Sequence, residues 1–186
     1  MKKGCVLLLL MILLSGCADA STELERGMAL RSKLLKAESV SFTADISADY
    51  GDTLQLFSME CRGDAQGNLA FTVTAPETIS GITGIISEGD GKLTFEDTAL
   101  HFTLLTDEQL NPVSAPWILL KTLRSGYMTS AGMEGEQLRL TIDDSFDDDA
   151  LQLDIWLDEN DLPKHAEVCY DGKRILTLSI RDFRIV

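Results

Sequence analysis

From Val40 to Tyr50 the chain alternates. Val40, Phe42, Ala44, Ile46, Ala48 and Tyr50 occupy one phase, and Ser41, Thr43, Asp45, Ser47 and Asp49 the other. A period of two with one apolar phase predicts a strand with one buried and one wet face. Gly51-Asp52 turns the chain into a second strand, Thr53 to Arg62. The alternation returns at Leu69, Phe71 and Val73, and again over Ile82–Ile86. Asp90-Gly91 reads as a hairpin turn into Lys92–Glu96, followed by Leu100–Leu105. Four more apolar phases follow: Leu138/Leu140/Ile142, Leu151/Leu153/Ile155/Leu157, Ala166/Val168/Tyr170 and Leu176/Leu178/Ile180. Turn residues at 158–161 and at Asp171-Gly172 separate the last three.

Two segments break this series. Thr22-Glu23-Leu24-Glu25 has the Thr-x-x-Glu form of a capping box, and predicts a helix to about Glu38. Its apolar face is expected to carry Leu24, Met28 and Leu35, broadened by Leu30 and Leu34. The second is "SAPWILLKTLRSGY". Ser114 can cap it and Pro116 fits the first turn, where the missing N–H costs little. Lys121 and Arg124 sit towards the negative end, and Gly126 can stop it. A long antiparallel sheet with one apolar face must bury that face, and two helices are available to cover it. The expected fold is α+β, a curved antiparallel sheet closing as an incomplete barrel around two helices.

The opening differs from everything after it. Met1-Lys2-Lys3 precedes an apolar block, Cys5–Leu14, which ends in Ser15-Gly16-Cys17. A positive start, a short hydrophobic stretch and small residues at the exit describe a secretory signal peptide. The block is about half the ~20 residues a membrane span needs. Leu14-Ser15-Gly16-Cys17 has the form of a bacterial lipobox, in which the Cys17 thiol is acylated and the chain is cut before it. Residues 1–16 are then the signal, 17–21 a lipidated tether, and 22–186 one domain held at the outside of the bacterial cell membrane.

Charge narrows the partners. Removing Lys2 and Lys3 with the signal leaves 14 basic against 30 acidic residues, a formal charge of −16. Such a surface is repelled by phosphates, so nucleic acid is excluded as a partner, and the acyl chains must hold the protein to the membrane. Of four cysteines, Cys5 leaves and Cys17 is lipidated. Cys61 and Cys169 remain, free to pair in an oxidising compartment or to stay as thiols.

Candidate chemistry is sparse. "DDSFDDDALQLD", Asp143–Asp154, is dense in carboxylates but lacks the glycine that a calcium loop needs at its sixth position, and reads as a solvated loop. His165 and Glu167 share a strand face, the spacing of a base and its orienter, with no nucleophile motif beside them. Gly81, Gly84, Gly89 and Gly91 imitate a phosphate loop but precede no helix. Trp156 is out of phase with Leu153, Ile155 and Leu157, and is expected on the sheet's wet face. These patterns imply no catalytic residue, no metal and no cofactor.

The lipobox, the N-terminal helix, the long meander and the helix introduced by "SAPWILLKTLRSG" together resemble the Lol-type (LolA/LolB-like) lipoprotein carriers of the bacterial envelope. The runs "APETISGITGIISEGDGKLTFEDTALHF" and "LTLSIRDFRIV" are similar to segments of envelope lipoproteins of that type. The resemblance spans residues 22–186. It implies a non-enzymatic protein that binds or carries a lipid or acyl chain in the concave face of its sheet. Phe42, Phe71, Val73 and Leu140, on the apolar phases of their strands, are the expected lining, and binding there would be insensitive to salt. The alternative is an envelope adaptor whose core is filled and whose acidic surface meets a protein partner. Cavity volume discriminates the two.

Overall fold

A computed structural model describes residues 19–186, apart from 52, 89, 96–97, 104, 107–108 and 148–149. Side chains are described from residue 22 onward, except those at 95, 102–103, 105–106 and 109. Helix α1 spans Asp19–Lys36, followed by strands β1 (Ser39–Asp49), β2 (Leu54–Asp64), β3 (Leu69–Ala75), β4 (Thr83–Ser87), β5 (Asp90–Phe95) and β6 (Thr98–Thr103). A small hairpin of β7 (Leu105–Thr106) and β8 (Gln109–Leu110) leads into helix α2, Ala115–Ser125. The chain then returns through β9 (Tyr127–Glu134), β10 (Gln137–Asp143), β11 (Gln152–Leu157), β12 (Pro163–Tyr170) and β13 (Lys173–Ile185).

Eleven of these strands form one antiparallel sheet, in the order β6-β5-β4-β3-β2-β1-β13-β12-β11-β10-β9. It is two meanders joined at the middle, where β1 pairs with β13 from Val40↔Ile185 to Ala48↔Leu176. The expected α+β architecture is therefore what the chain adopts, an open curved sheet with both helices on one face. The alternation in β1 is realised as strict burial: Val40, Phe42, Ala44, Ile46 and Ala48 are each 3% exposed or less. Asp171-Gly172 makes its predicted two-residue turn, with both φ angles positive and Tyr170 paired with Lys173.

Helix α2 is buried nearly all round, from Ala115 to Leu120 and again at Thr122 and Leu123. Polar contacts fix it to the sheet. Trp117 Nε1 donates to the Gly67 carbonyl at 3.0 Å, and Arg124 Nη1 to the Asp64 carbonyl at 2.8 Å. Arg31 of α1 donates from Nε to the Leu123 carbonyl at 2.8 Å, satisfying an acceptor in the last turn of α2, where the helix has no partner of its own.

Helix α1 lies differently from its prediction. It is already helical at Asp19, so Thr22 does not open it. Leu30 and Leu34 are buried at 1%, but Leu24, Met28 and Leu35 are 40%, 48% and 62% exposed. The reason is Gly27. A Cβ built there would lie 2.8 Å from Met128 Sδ and 3.0 Å from a Leu140 methyl, so the bare backbone is what lets α1 press onto β9 and β10. The buried stripe runs through Gly27, Leu30 and Leu34, and the other apolar stripe faces outward.

Strand β9 also escaped the sequence reading. Tyr127–Glu134 shows no alternation because this edge strand is mostly exposed or half-buried. The β4–β5 turn sits earlier than the Asp90-Gly91 signal suggested: Ser87 pairs with Asp90, which places the turn before Asp90, with Glu88 at φ 50°.

Candidate ligand-binding groove

The helix side of the sheet is occupied by the protein itself. Phe42 and Phe71 are 3% exposed, Val73 3% and Leu140 0%, and all belong to one contiguous apolar core with Leu30, Leu34 and the inner face of α2. The Phe42 ring stacks on Phe183 with centroids 5.3 Å apart. Phe71 fills the space beneath Gly84, where an added Cβ would fall 2.3 Å from its Cζ. The four residues expected to line a cavity are thus packed in the core.

A cleft lies on the other face of the sheet. It has a volume of about 700 Å3 and crosses β1 to β5, with β13 at one end. Pairing register decides which side chains line it, because residues directly opposite in an antiparallel sheet share a face. Phe42↔Cys61↔Phe71↔Gly84 is one such row, and it points to the helices. The rows on either side of it point away. One reads Arg184↔Ser41↔Arg62↔Ala70↔Ile85↔Lys92, the other Thr43↔Glu60↔Thr72↔Thr83↔Thr94. All of these residues line the cleft, with Asp182 beside Arg184, while Phe42 and Phe71 bound it only from behind. Val73 and Leu140 take no part in it.

Its floor is therefore amphipathic. Ala70 and Ile85 (55% exposed) lie among threonine methyls, with Arg62 and Arg184 at one end and Lys92 at the other. A smaller cleft of about 400 Å3 continues on the same face between Asp45, Ser47, Leu56, Ser58, Thr177 and Ser179, with Leu56 63% exposed.

The remaining candidates fall elsewhere. Trp156 is on the outer face as expected, half-buried under the Arg139 guanidinium at 5.1 Å and against the His165 ring at 5.1 Å. Its Nε1 donates to Glu134 at 3.2 Å. Glu167 sits 3.6 Å from His165 Nε2 and accepts from Arg174 at 2.7 Å, so its charge is committed to the arginine. Asp154 is buried at 5%, accepting from Arg139 Nη2 at 2.9 Å and from the Thr141 hydroxyl at 2.6 Å. The acidic run between β10 and β11 is a loop, tied by Asp144, which accepts from the Leu151 backbone at 2.8 Å and pairs with Lys121 at 3.3 Å. No group of three or more His, Cys, Asp or Glu among the described residues is arranged to hold a metal.

Cys61 and Cys169 are both free thiols. The bond allowed by the sequence is not made, for two geometric reasons. Strands β1 and β13 lie between β2 and β12, a separation of about 14 Å at ~4.8 Å per strand, against a limit of ~7 Å between bridged Cα atoms. The thiols also face opposite ways: Cys61 shares the helix-side row with Phe42, while Cys169 lies near Glu167 and Arg174 on the outer face. Cys17 lies outside the described residues, as do all of residues 1–18. No helix among the described residues is long and apolar enough to cross a membrane.

No family model matches the sequence, and no curated protein matches it. Solved structures do. The chain is similar to an uncharacterized conserved protein from Thermus thermophilus, at 10% identity over 87% of each chain and a TM-score of 0.48. It is similar to a LolA superfamily protein from Nitrosomonas europaea, at 9% identity over 86% of this chain and 93% of that one, TM-score 0.45. Lipoprotein LppX from Mycobacterium tuberculosis is 10% identical over 87% and 93%, TM-score 0.41. At such scores the similarity assigns no role to any residue.

Proposed function

We propose that this chain is an extracytoplasmic lipoprotein, anchored through acylated Cys17, that binds a hydrophobic ligand without catalysing a reaction. The observation that carries the reading is the groove across β1–β5. Its volume of about 700 Å3 falls within the ~300–1,000 Å3 typical of small-molecule sites. Its floor exposes Ile85 and Ala70 on a face that the strand pattern otherwise makes polar. Each methylene of a ligand buried there contributes about 0.8 kcal/mol, so an alkyl chain needs few polar contacts to bind.

The reading is tested by extracting the purified protein with organic solvent. Acyl groups on Cys17 stay with the chain, whereas cargo leaves it, so lipid in the extract and uptake of a fluorescent fatty acid by the extracted protein are expected. A clean extract with no uptake would transfer the assignment to the adaptor. One observation favours that second reading: the space between helices and sheet is filled by Phe42, Phe71, Val73 and Leu140. Anchoring has its own test. The chain should incorporate labelled fatty acid, and Cys17→Ala should not. Equal labelling of the variant would refute the lipobox.

A further inference from the structure

We infer that the outer-face groove selects an amphiphile with an anionic head, a carboxylate or a phosphate, and that Arg62 and Arg184 hold the head while Ala70 and Ile85 seat the tail. This rests on the ligand-binding reading above and gives it a head-group chemistry and a site.

The argument starts from register. Ser41 is the direct cross-strand neighbour of both Arg62 and Arg184, so the two arginines flank it at one strand spacing each, about 4.8 Å. A serine between two arginines leaves a gap that long guanidinium side chains can close over, and its hydroxyl adds a third donor. Arginine forks match the planar oxygens of carboxylate and phosphate, and such charge-assisted bonds are the stronger class of hydrogen bond.

The charges are also available. Arg26, Lys121, Arg139, Arg174 and Arg181 are committed to carboxylates, with Arg139 serving two acids. Arg62, Arg184 and Lys92 form no such ion pair among the described residues, although Glu60 and Asp182 line the same groove. In a chain with net charge −14, Arg62, Arg184 and Lys92 outnumber Glu60 and Asp182 in this groove and give it a local excess of positive charge.

From the head position the row continues over Ala70 and Ile85 to Lys92, whose methylene stem extends the apolar floor while its ammonium stays in water. The threonines of the parallel row offer methyls along the same path. An alkyl tail laid from Ser41 towards Lys92 therefore crosses the apolar patch of Ala70 and Ile85. Binding falls as salt rises, whereas an acyl chain held in an apolar core would bind with no dependence on salt.

The experiment uses the full-length lipoprotein in phosphatidylcholine nanodiscs and three probes that share one photoactivatable alkyl tail but end in a carboxylate, a phosphate or an alcohol. Labelled peptides are mapped by mass spectrometry. The acidic probes should label peptides of β3–β5, and the alcohol should do so roughly tenfold less, the loss of about one charge-assisted hydrogen bond. The two acidic probes distinguish a fatty acid from a phospholipid-type head. R62Q with R184Q should bring the acidic probes down to the alcohol's level, while R139Q, on the same face but outside the groove, should leave them unchanged. Labelling of α1 or α2 peptides in place of β3–β5 overturns the site while sparing the ligand-binding reading. Equal labelling by all three probes overturns the head-group assignment alone, and no labelling by any probe overturns both.

Discussion

Cys61 shows how one buried side chain couples stability to pH. It is 4% exposed on the helix side of β2, and burial, reinforced by the neighbouring Glu60 charge, raises its thiol far above the ordinary value. In the unfolded chain the thiol ionises near pH ~8.5, but in the folded protein it keeps its proton. Above that pH the unfolded state binds fewer protons than the native state, so stability falls as pH rises, by up to about 1.4 kcal/mol per pH unit. Below pH ~8 the thiol contributes no slope. Urea titrations at pH 7, 9 and 10 should show this decline in the native sequence and a shallower one in Cys61→Ala, whose stability at pH 7 is lower because the thiol fills core volume. Parallel curves at all three pH values would rule out the thiol as the source. Free-thiol counting on denatured, unreduced protein should return both Cys61 and Cys169, as their positions on opposite faces require.

At the scale of the element, strands were legible and helix orientation was not. The period-two pattern of β1 survives as alternating burial because each inward residue faces the same packed interior. Helix α1 is a two-stripe helix. Its apolar residues mark both Leu24–Met28–Leu35 and Leu30–Leu34, and the side that wins is the one containing a residue with no side chain at all, Gly27. A hydrophobic count gives glycine no weight, yet close approach to Met128 and Leu140 depends on it. Leu30→Ala or Leu34→Ala should therefore cost about 2–5 kcal/mol, whereas Met28→Gln and Leu35→Gln should lie within about 0.5 kcal/mol of the native protein. Chemical denaturation separates these outcomes, and equal costs on both stripes would reverse the face assignment. Gly84→Ala tests the same logic in the sheet. The new Cβ meets the Phe71 ring at 2.3 Å and the Lys92 carbonyl at 2.9 Å, one of them backbone, so a loss of about 1–3 kcal/mol is expected from overpacking.

Across the whole molecule, the groove was the part the sequence concealed. Arg184, Ser41, Arg62, Ala70, Ile85 and Lys92 come from separate strands, and only their register makes them neighbours. Strand phases alone directed attention to the apolar residues, which the core then absorbed. The same register makes a prediction about cooperativity. Within the sheet the two meanders are joined where β1 pairs with β13, and the apolar core runs unbroken beneath both, from Ile86 of β4 to Leu140 of β10. Helix α2 touches β2, β10 and β13, bridging the halves a second time. Neither half can expose its inner face without exposing its neighbour's, so the chain should unfold as one unit. One tryptophan lies on each side. Trp117 is tied to the β2–β3 turn through Gly67, and Trp156 lies in β11 between Arg139 and His165. Trp117→Phe leaves a reporter on the C-terminal meander, and Trp156→Phe leaves one in α2, against the β2–β3 turn of the N-terminal meander. In each variant the fluorescence transition in urea should superimpose on the far-ultraviolet circular dichroism of the same variant, because both signals then follow a single transition. A fluorescence midpoint displaced from the dichroism midpoint in either variant would mean that the meanders melt separately and that the β1–β13 seam, with α2 across it, does not couple them.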